Sequence, residues 1–280
     1  MKKHFIAPLS PYSVTMSVYD KENPQFLKES IDSIINQTHK TNDFIIICDG
    51  ELTDELYEIL DNASCAHSDI LRVIKLPEHV GTAKAANIAI KLCKNELIGK
   101  MDSDDIALPE RFEIQVRRMM LHPELDIIGS YIEEFDSDTG KAIAVRKTPL
   151  SSKAVLEFAR QRAPFNNQTM LFKRSVALAC GGYDGTLQRC EDYDFMVRML
   201  SNGAVGGNIA KVLVRYRVTK DNLQRRRNFR NTKAFFAVRW KIYRSGFSSF
   251  SDFLVPCAMQ LALFALPSQV TGLIYKKFMR

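Results

Sequence analysis

Apolar residues recur along this chain with two periods, and the alternation between those periods predicts its architecture. Residues 12–19 alternate and are rich in β-formers, which predicts a first strand. Asn23 and Pro24 then open a stretch in which Phe26, Leu27, Ile31, Ile34 and Ile35 fall at helical spacing, ending near residues 36–38. Residues 44–48 are nearly all apolar, as a central parallel strand covered on both faces is. Asp49 and Gly50 end it, and Thr53 is the N-cap of a helix with Leu56, Ile59 and Leu60 on one face. Residues 71–76 read as a third strand, and Gly81 precedes a helical run through Ala85, Ala86, Ile88, Ala89 and Leu92. A strand at 97–101 follows, and Pro109 opens a helix carrying Phe112, Ile114, Val116 and Met119 or Met120. Strand and helix thus alternate at crossover spacing up to residue 120, which is an α/β signature, and ligands in such sheets sit at the carboxyl ends of strands.

Beyond residue 120 the pattern loosens. Residues 125–135 and 142–145 predict two strands, antiparallel through a turn at Asp138, Thr139 and Gly140. Ser151 or Ser152 caps a helix running to Arg160, and residues 169–172 form a short strand. The Gly181–Gly182 pair, before Tyr183 and Asp184, needs room or unusual dihedrals. Residues 191–200 predict a helix with acids in its first turn and Phe195, Met199 and Leu200 inward.

Composition adds bounds rather than direction. The 280 residues are 46% apolar and 25% charged, enough for one domain with an appendage or for two small domains. Six cysteines without a close metal-ligand pair fit a reducing compartment, and the basic N-terminus lacks an apolar run long enough for a signal peptide. Charge is polarised: residues 211–280 hold 15 Lys and Arg against 2 Asp and Glu, a net of +13, while the whole chain is +7, so residues 1–210 are net −6. Nucleic acid, an anionic membrane surface or a phosphorylated substrate each suit such a tail. No recognition helix, zinc module or aromatic–basic platform accompanies it, so nucleic acid is not expected as a partner.

Residues 253–275 carry no charge, but Pro256, Gln260, Pro267 and Gly272 interrupt them, leaving a largely apolar run at 257–266. That is short of the roughly 20 residues a spanning helix needs. With Arg239, Lys241 and Arg244 before the segment and Lys276, Lys277 and Arg280 after it, the pattern fits a helix lying in a membrane interface; a C-terminal helix packed on the body is the competing reading.

Chemistry concentrates at Asp102, Ser103, Asp104 and Asp105, where three carboxylates crowd a strand end. Like charges there resist burial, and a divalent cation removes that cost. Side chains at i and i+2 point the same way in extended backbone, so Asp102 and Asp104 can face one ion while Ser103 points back. Oxygen-only ligands suit Mg²⁺ or Mn²⁺, held by one or two carboxylates plus phosphate oxygens. The plain alternative is a solvated acidic loop leading into the next helix. Asp49 at a second strand end can accept a hydrogen bond from a base or ribose, or simply make a tight turn. No Gly-x-Gly-x-x-Gly loop is present, which disfavours a dinucleotide site. Glu191 and Asp192 form another acidic site, able to supply a base toward an incoming hydroxyl or merely to start a helix. Arg225, Arg226 and Arg227, with Arg215, Arg217, Lys220 and Arg230, either clamp phosphates or form a solvated face.

Over residues 13–245 these motifs, in this order, resemble the family 2 glycosyltransferases of GT-A fold, in particular the bacterial enzymes that build capsule, exopolysaccharide and O-antigen repeats. Residues 17–20 are similar to the first-strand motif, with Asp20 in place of its usual Asn. Residues 33–38 match a Ser-Ile-x-x-Gln-Thr segment, and Asp49–Gly50 an Asp-Gly pair, with Cys48 where a second Asp is frequent. Gly81, Ala85 and Asn87 fit a Gly-x-x-x-Ala-x-Asn loop; residues 101–105 fit the metal motif, followed by Pro109, Arg111, Phe112 and Gln115. Residues 164–169 resemble a family segment with Asn167 where His is more common, and residues 181–184 and 191–192 resemble the acceptor-side glycine turn and the Glu-Asp motif.

The resemblance implies an α/β GT-A fold, a Rossmann-like, mostly parallel sheet flanked by helices, with a mixed acceptor-side region and a basic helical tail. Residues 1–120 would bind a nucleoside diphosphate sugar, residues 121–245 would complete acceptor binding and catalysis in the same domain, and residues 246–280 would be an amphipathic or membrane-interface tail. It implies Tyr19, Asp49, Lys84, Asp102 and Ser103 around the donor, Asp104 with Asp102 on Mn²⁺ or Mg²⁺, Asp192 as the base and Glu191 in support. It further implies inverting transfer, most commonly from a UDP-sugar, to a polyprenyl-diphosphate-linked saccharide at the cytoplasmic face of the bacterial inner membrane. A metal-dependent sugar-phosphate nucleotidyltransferase is the alternative enzyme; a nucleic-acid binder or a structural peripheral protein are the non-enzymatic ones.

Overall fold

A computed structural model describes residues 8–219 and 229–265, with side chains described for 8–219 and 232–261. Nine strands form one mixed sheet in the order β3-β2-β1-β4-β8-β6-β9-β5, with β7 paired to β6 outside that path. The first half alternates as the pattern predicts: β1 (Tyr12–Val18), α1 (Pro24–Ile35), β2 (Asp43–Cys48), α2 (Asp54–Ala66), β3 (Leu71–Lys75), α3 (Thr82–Leu92) and β4 (Leu97–Lys100). These four strands pair in parallel, and β2 is buried along its whole length. Its side chains divide between two cores: Phe44, Ile46 and Cys48 meet α1 and α2, whereas Ile45 and Ile47 meet α3. Asn23 caps α1 through Gln25 N–H and Phe26 N–H, and Thr53 caps α2.

After β4 come a two-residue strand β5 (Ile106–Ala107), α4 (Arg111–Leu121), β6 (Ile127–Asp136), β7 (Ala142–Arg146) and α5 (Ser152–Ala159). β6 and β7 are antiparallel, as expected. The strand expected at 169–172 begins instead at Leu171, because Asn167–Thr169 is a 3₁₀ turn leading into β8 (Leu171–Lys173). Helices α6 (Arg174–Ala179) and α7 (Glu191–Ser201) follow.

Four elements lack a counterpart in the sequence reading: β5, the short helix α6, the long strand β9 (Gly206–Val218) and helix α8 (Phe229–Arg244). β9 runs parallel to β6, and their register shifts at Ser130/Tyr131 and Tyr131/Ile132. Across the two shifts three residues of β9, 210, 211 and 213, have no partner on β6, an odd number that breaks the two-residue period, so no clean alternation is visible in β9. Helix α9 (Phe250–Ala265) begins before the uncharged segment and carries Pro256 inside it.

Candidate active site

The carboxyl ends of β1, β2 and β4 open into a cleft of about 1380 Å³ whose lining includes Tyr19, Asp49, Lys84, Lys100, Asp102, Ser103, Asp104 and Glu191. The cleft thus joins the strand-end acids to the start of α7, some 90 residues later in sequence.

Around the acidic cluster, Met101, Ser103 and Asp105 are buried while Asp102 and Asp104 are partly accessible. The turn is held from several sides. Ser30 Oγ donates to the Asp102 carbonyl at 2.9 Å, Arg217 Nε to the Asp104 carbonyl at 2.8 Å, and Arg217 N–H to Asp105 Oδ1 at 2.9 Å. Arg111, fully buried, donates to the Lys100 carbonyl at 2.7 Å and to Gln115 at 3.0 Å, and Gln115 reaches the Thr169 carbonyl at 2.7 Å. The Pro109-to-Gln115 motif is therefore scaffolding for the end of β4. Asp105 is a structural acid: wholly buried, its carboxyl is held well above the usual range by burial and by Asp104 and Asp102.

The accessible pair differs in its partners. Asp102 forms an ion pair with Lys100, which is only 8% exposed. Burial works against the Lys100 charge, but Asp102, Asp192 and Glu191 outweigh it and hold the ammonium above its ordinary range. Asp104 is pushed up to about 7 by burial and by the charges of Asp102 and Glu22, the environment of a carboxylate that lacks a cation. Ser103 Oγ donates to Glu22, so its hydroxyl is engaged with the β1–α1 loop.

Among the described residues no three His, Cys, Asp or Glu side chains converge as a metal-ligand set. One or two carboxylates at the mouth of a cleft still fit Mg²⁺ or Mn²⁺, ions that commonly complete their coordination with phosphate oxygens and water. Of the two, Asp102 is already paired with Lys100, whereas among the described residues no ion pair is formed by the Asp104 carboxylate.

At the other end of the cleft Asp49 is 5% exposed and accepts from Val80 N–H at 2.7 Å and Gly81 N–H at 3.1 Å, fixing the entry to α3. Gly50, with φ of +88°, lets the chain pass His79, whose backbone nitrogen would lie 2.9 Å from any added Cβ. Lys84 lies on α3 with its stem against Gly185.

Helix α7 starts at Cys190, a non-glycine residue in left-handed backbone with φ of 61°. Glu191 lines the cleft, and Asp192 beside it is partly accessible with a buried Oδ1 that has no hydrogen-bond partner. Burial pushes the Asp192 carboxyl up to about 7, Lys100 draws it back, and Glu191 and Asp102 add to the rise. The Tyr183 hydroxyl in the same wall is likewise buried without a partner. Asn87 clamps the glycine turn beneath it, donating to the Tyr183 carbonyl and accepting from Tyr183 N–H, both at 2.7 Å.

Where it is described, most cations of the basic C-terminal region are engaged by other groups of the protein. Lys211 pairs with Glu110 at 3.0 Å, Arg215 with Glu133 at 2.7 Å and Arg217 with Glu29 at 2.5 Å. Lys241 bridges Asp184 and Asp194, both at 2.7 Å, and buried Arg239 donates to Tyr193 Oη at 2.8 Å. Arg215 and Arg217 are thus not phosphate clamps; they hold strands and the acidic turn. Lys220 and Arg225 to Arg227 lie outside the described residues, as does the Arg230 side chain. Sequence reasoning missed Lys100, Glu22 and Asn87 as cleft-building side chains; a lysine two positions before a strand-end carboxylate is the signal that could have pointed to Lys100.

A sheet of this order, with paired acids at the end of β4 and a helix-borne acidic pair across the cleft, defines the GT-A class of glycosyltransferases. The Glycosyl transferase family 2 model matches residues 13–191, and the chain belongs to that family. It is 33% identical over 269 residues to an uncharacterized glycosyltransferase of Haemophilus influenzae, covering 96% of this chain and 99% of that one. It is 32% identical over 269 residues to the Escherichia coli UDP-Gal:alpha-D-GlcNAc-diphosphoundecaprenol beta-1,3-galactosyltransferase, covering 96% of each chain. Among solved structures, the mannosyltransferase PcManGT of Pyrobaculum calidifontis, in complex with GDP-Man and Mn²⁺, superposes with a TM-score of 0.65 at 16% identity, over 96% of this chain and 80% of that one.

Proposed function

We propose that the protein is an inverting glycosyltransferase that moves a hexose or N-acetylhexosamine from a nucleoside diphosphate sugar, a UDP-sugar first among them, to a hydroxyl of a polyprenyl-diphosphate-linked saccharide in bacterial surface-polysaccharide assembly. The observation that carries this reading is the meeting of two acidic sites: Asp102 and Asp104 at the strand end and Glu191 at the helix start line one cleft, and Asp192, next to Glu191, lies close enough to Lys100 and Asp102 to feel their charges. The E. coli relative, whose name gives a UDP-sugar donor and a diphosphoundecaprenol-linked acceptor, supports the substrate class.

In this mechanism Asp49 and Tyr19 border the base end of the donor, Lys84 approaches the diphosphate, and Asp104, with Asp102 and Ser103 alongside, holds the cation end. A bound Mn²⁺ or Mg²⁺ would stabilise the charge of the departing diphosphate. Asp192 removes the proton from the acceptor hydroxyl, which attacks the anomeric carbon from the face opposite the leaving group, with Glu191 in support. A carboxylate pushed up to about 7 is a far better base than one at the ordinary value near 4. No enzyme nucleophile is needed, unlike in a retaining glycosidase.

The donor side of this division lies in residues 1–120 and the acceptor side in residues 121–245. Residues 246–280 dock the protein peripherally on the cytoplasmic face of the inner membrane. Phe250, Leu254, Val255 and Leu261 of α9 and Trp240 of α8 are exposed on the helical hairpin, while Cys257 packs inward. No helix among the described residues is long and apolar enough to cross a membrane. Product formation from UDP-glucose, UDP-galactose, UDP-N-acetylglucosamine and GDP-mannose with a polyprenyl-diphosphate-linked saccharide tests the reading; turnover of a nucleoside triphosphate with a sugar phosphate instead would refute it.

A further inference from the structure

Helix α8 has two faces with different surroundings. On one, Val238 and Ile242 are buried with Tyr193 and Val197 of α7. Trp240, two residues from each, falls on the opposite side of the helix and is 47% exposed. It belongs to a cluster of four rings that joins the end of α8 to the start of α9. Trp240 lies 5.5 Å from Tyr243 and 5.6 Å from Phe253, and Phe250 lies 5.8 Å from Tyr243 and 6.2 Å from Phe253. Phe250 is 56% exposed, and Leu254, one helical turn on, is exposed beside it. The charge around this corner has one sign. The only acid from 232 to 261 is Asp252, whose carboxylate is engaged by Gln161 at 2.6 Å and Ser249 at 2.7 Å, whereas Lys233 and Arg244 are exposed. Tryptophan and tyrosine rings favour the headgroup level of a bilayer, and anionic headgroups attract flanking cations.

The same helix grips the start of α7. Arg239 donates to Tyr193 Oη at 2.8 Å and to the Arg160 carbonyl at 3.1 Å, and Lys241 pairs with Asp194 and Asp184, both at 2.7 Å. Tyr193 and Asp194 directly follow the Glu191–Asp192 pair, and Asp184 Oδ1 accepts from Thr186, which lines the cleft. With no side-chain cap at Cys190, the first turn of α7 is located by these tertiary contacts. Trp240 stands between the two gripping cations in sequence, so a surface that seats Trp240 also seats Arg239 and Lys241.

We propose that the aromatic corner of α8 and α9 is a foot for an anionic lipid bilayer, and that Arg239 and Lys241 carry its seating to α7, so that docking raises the rate of transfer itself as well as bringing the enzyme to its acceptor. This rests on the functional reading above and adds to peripheral docking a link to the helix that bears the acidic pair.

Trp240 is the only tryptophan of the chain, so its fluorescence reports the foot alone. With phosphatidylglycerol vesicles its emission moves to shorter wavelength, and transfer to a short-chain, water-soluble diphosphate-linked saccharide rises about fivefold or more, the lower end of ordinary coupling between sites. Phosphatidylcholine vesicles do less of both. The double variant Phe250→Ser, Leu254→Ser keeps the lipid-free rate and loses both the shift and the rise. Lys241→Met, in which Asp194 retains Arg198, keeps the shift and loses the rise, and Lys241→Arg regains it. No shift in the wild type, or a shift without a rise, overturns the proposal, and so does a Lys241→Met protein stimulated as strongly as wild type. Lipid-free protein that self-associates with Trp240 already shielded assigns the corner to a second copy and overturns it as well. Absence of transfer from every donor of the panel above, with and without vesicles, instead overturns the functional reading, whatever the fluorescence shows.

Discussion

The two acidic sites that meet in the cleft are made of the same residue type and are built in opposite ways. The strand-end cluster is tied down by groups from four distant segments: Ser30, Arg111, Arg217 and, through Ser103, Glu22. The helix-start pair has no side-chain cap, begins on a left-handed cysteine and leaves Asp192 Oδ1 buried without a partner. Its helix is anchored instead one turn later, where Asp194 pairs with Arg198 and Lys241, both at 2.7 Å. A cation site needs fixed oxygens; a base needs an acceptor that nothing else has claimed. The same carboxylate serves either use, and its neighbours decide which.

Removing the unclaimed acceptor should have the largest effect. Asp192→Asn is expected to lower glycosyl transfer about 10³-fold, within the range of a lost general base, while UDP binding by calorimetry stays within twofold. The same variant separates this loss from misfolding. A carboxyl raised to about 7 in the folded state and near 4 unfolded binds more protons when folded between those values, so stability falls as pH rises from about 4 to about 7. Asp192→Asn escapes that loss and should melt higher than wild type at pH 8, by roughly 1–3 kcal/mol of stability, but not near pH 4. A lower melting temperature at pH 8 would break the contrast between the sites.

Asp104→Ala tests the tied-down site. It should cost on the order of 10²-fold in transfer and weaken Mn²⁺ binding in the presence of UDP, with melting temperature unchanged or raised, because a carboxylate crowded by the charges of Asp102 and Glu22 is removed. Full metal-dependent turnover in this variant would reassign the cation.

How far each site could be seen in the sequence follows from the same difference. The strand-end cluster follows a short apolar run in a region where strand and helix alternate regularly, so its place at the carboxyl end of a parallel strand was readable from Leu97 to Met101 and from the all-apolar β2. The supports were not readable. Arg217 lies on β9, whose two register shifts erase the period that would have marked it as a strand, so the arginine read as a phosphate clamp or a solvated charge. Asp184 looked like a member of a functional motif and Asp194 like an ordinary helix-start acid, yet both pair with Lys241, 57 and 47 positions away. Of the basic tail seen in the composition, Lys211, Arg215, Arg217 and Lys241 are paired with acids of the body.

Arg217→Met probes those supports directly. It keeps the backbone bond to Asp105 and most of the volume against Phe26 and Phe135, but loses the bonds to the Asp104 carbonyl and to Glu29. Glu29 is partly exposed, so the cost should sit near about 2 kcal/mol rather than the larger value of a fully buried pair. Urea unfolding measures it. An effect below about 0.5 kcal/mol would mean the turn is held without the arginine.

The smallest effect is the sharpest test of the comparison, because Asp104 and Asp192 are both pushed up to about 7 yet should answer differently to metal. A divalent cation at Asp104 favours its charged form and drives its pKa down, whereas Asp192 must stay near 7 to serve as the base. At saturating Mn²⁺, kcat/KM should therefore rise tenfold per pH unit below about 7 and level off above it, governed by one ionisation. Lowering Mn²⁺ should add a second ionisation to the acid side, and Asp192→Asn should abolish the first while leaving the second. A profile whose single limb moves continuously with metal concentration would place the limiting ionisation at Asp104, and the division between a fixed cation site and an unclaimed base would fail.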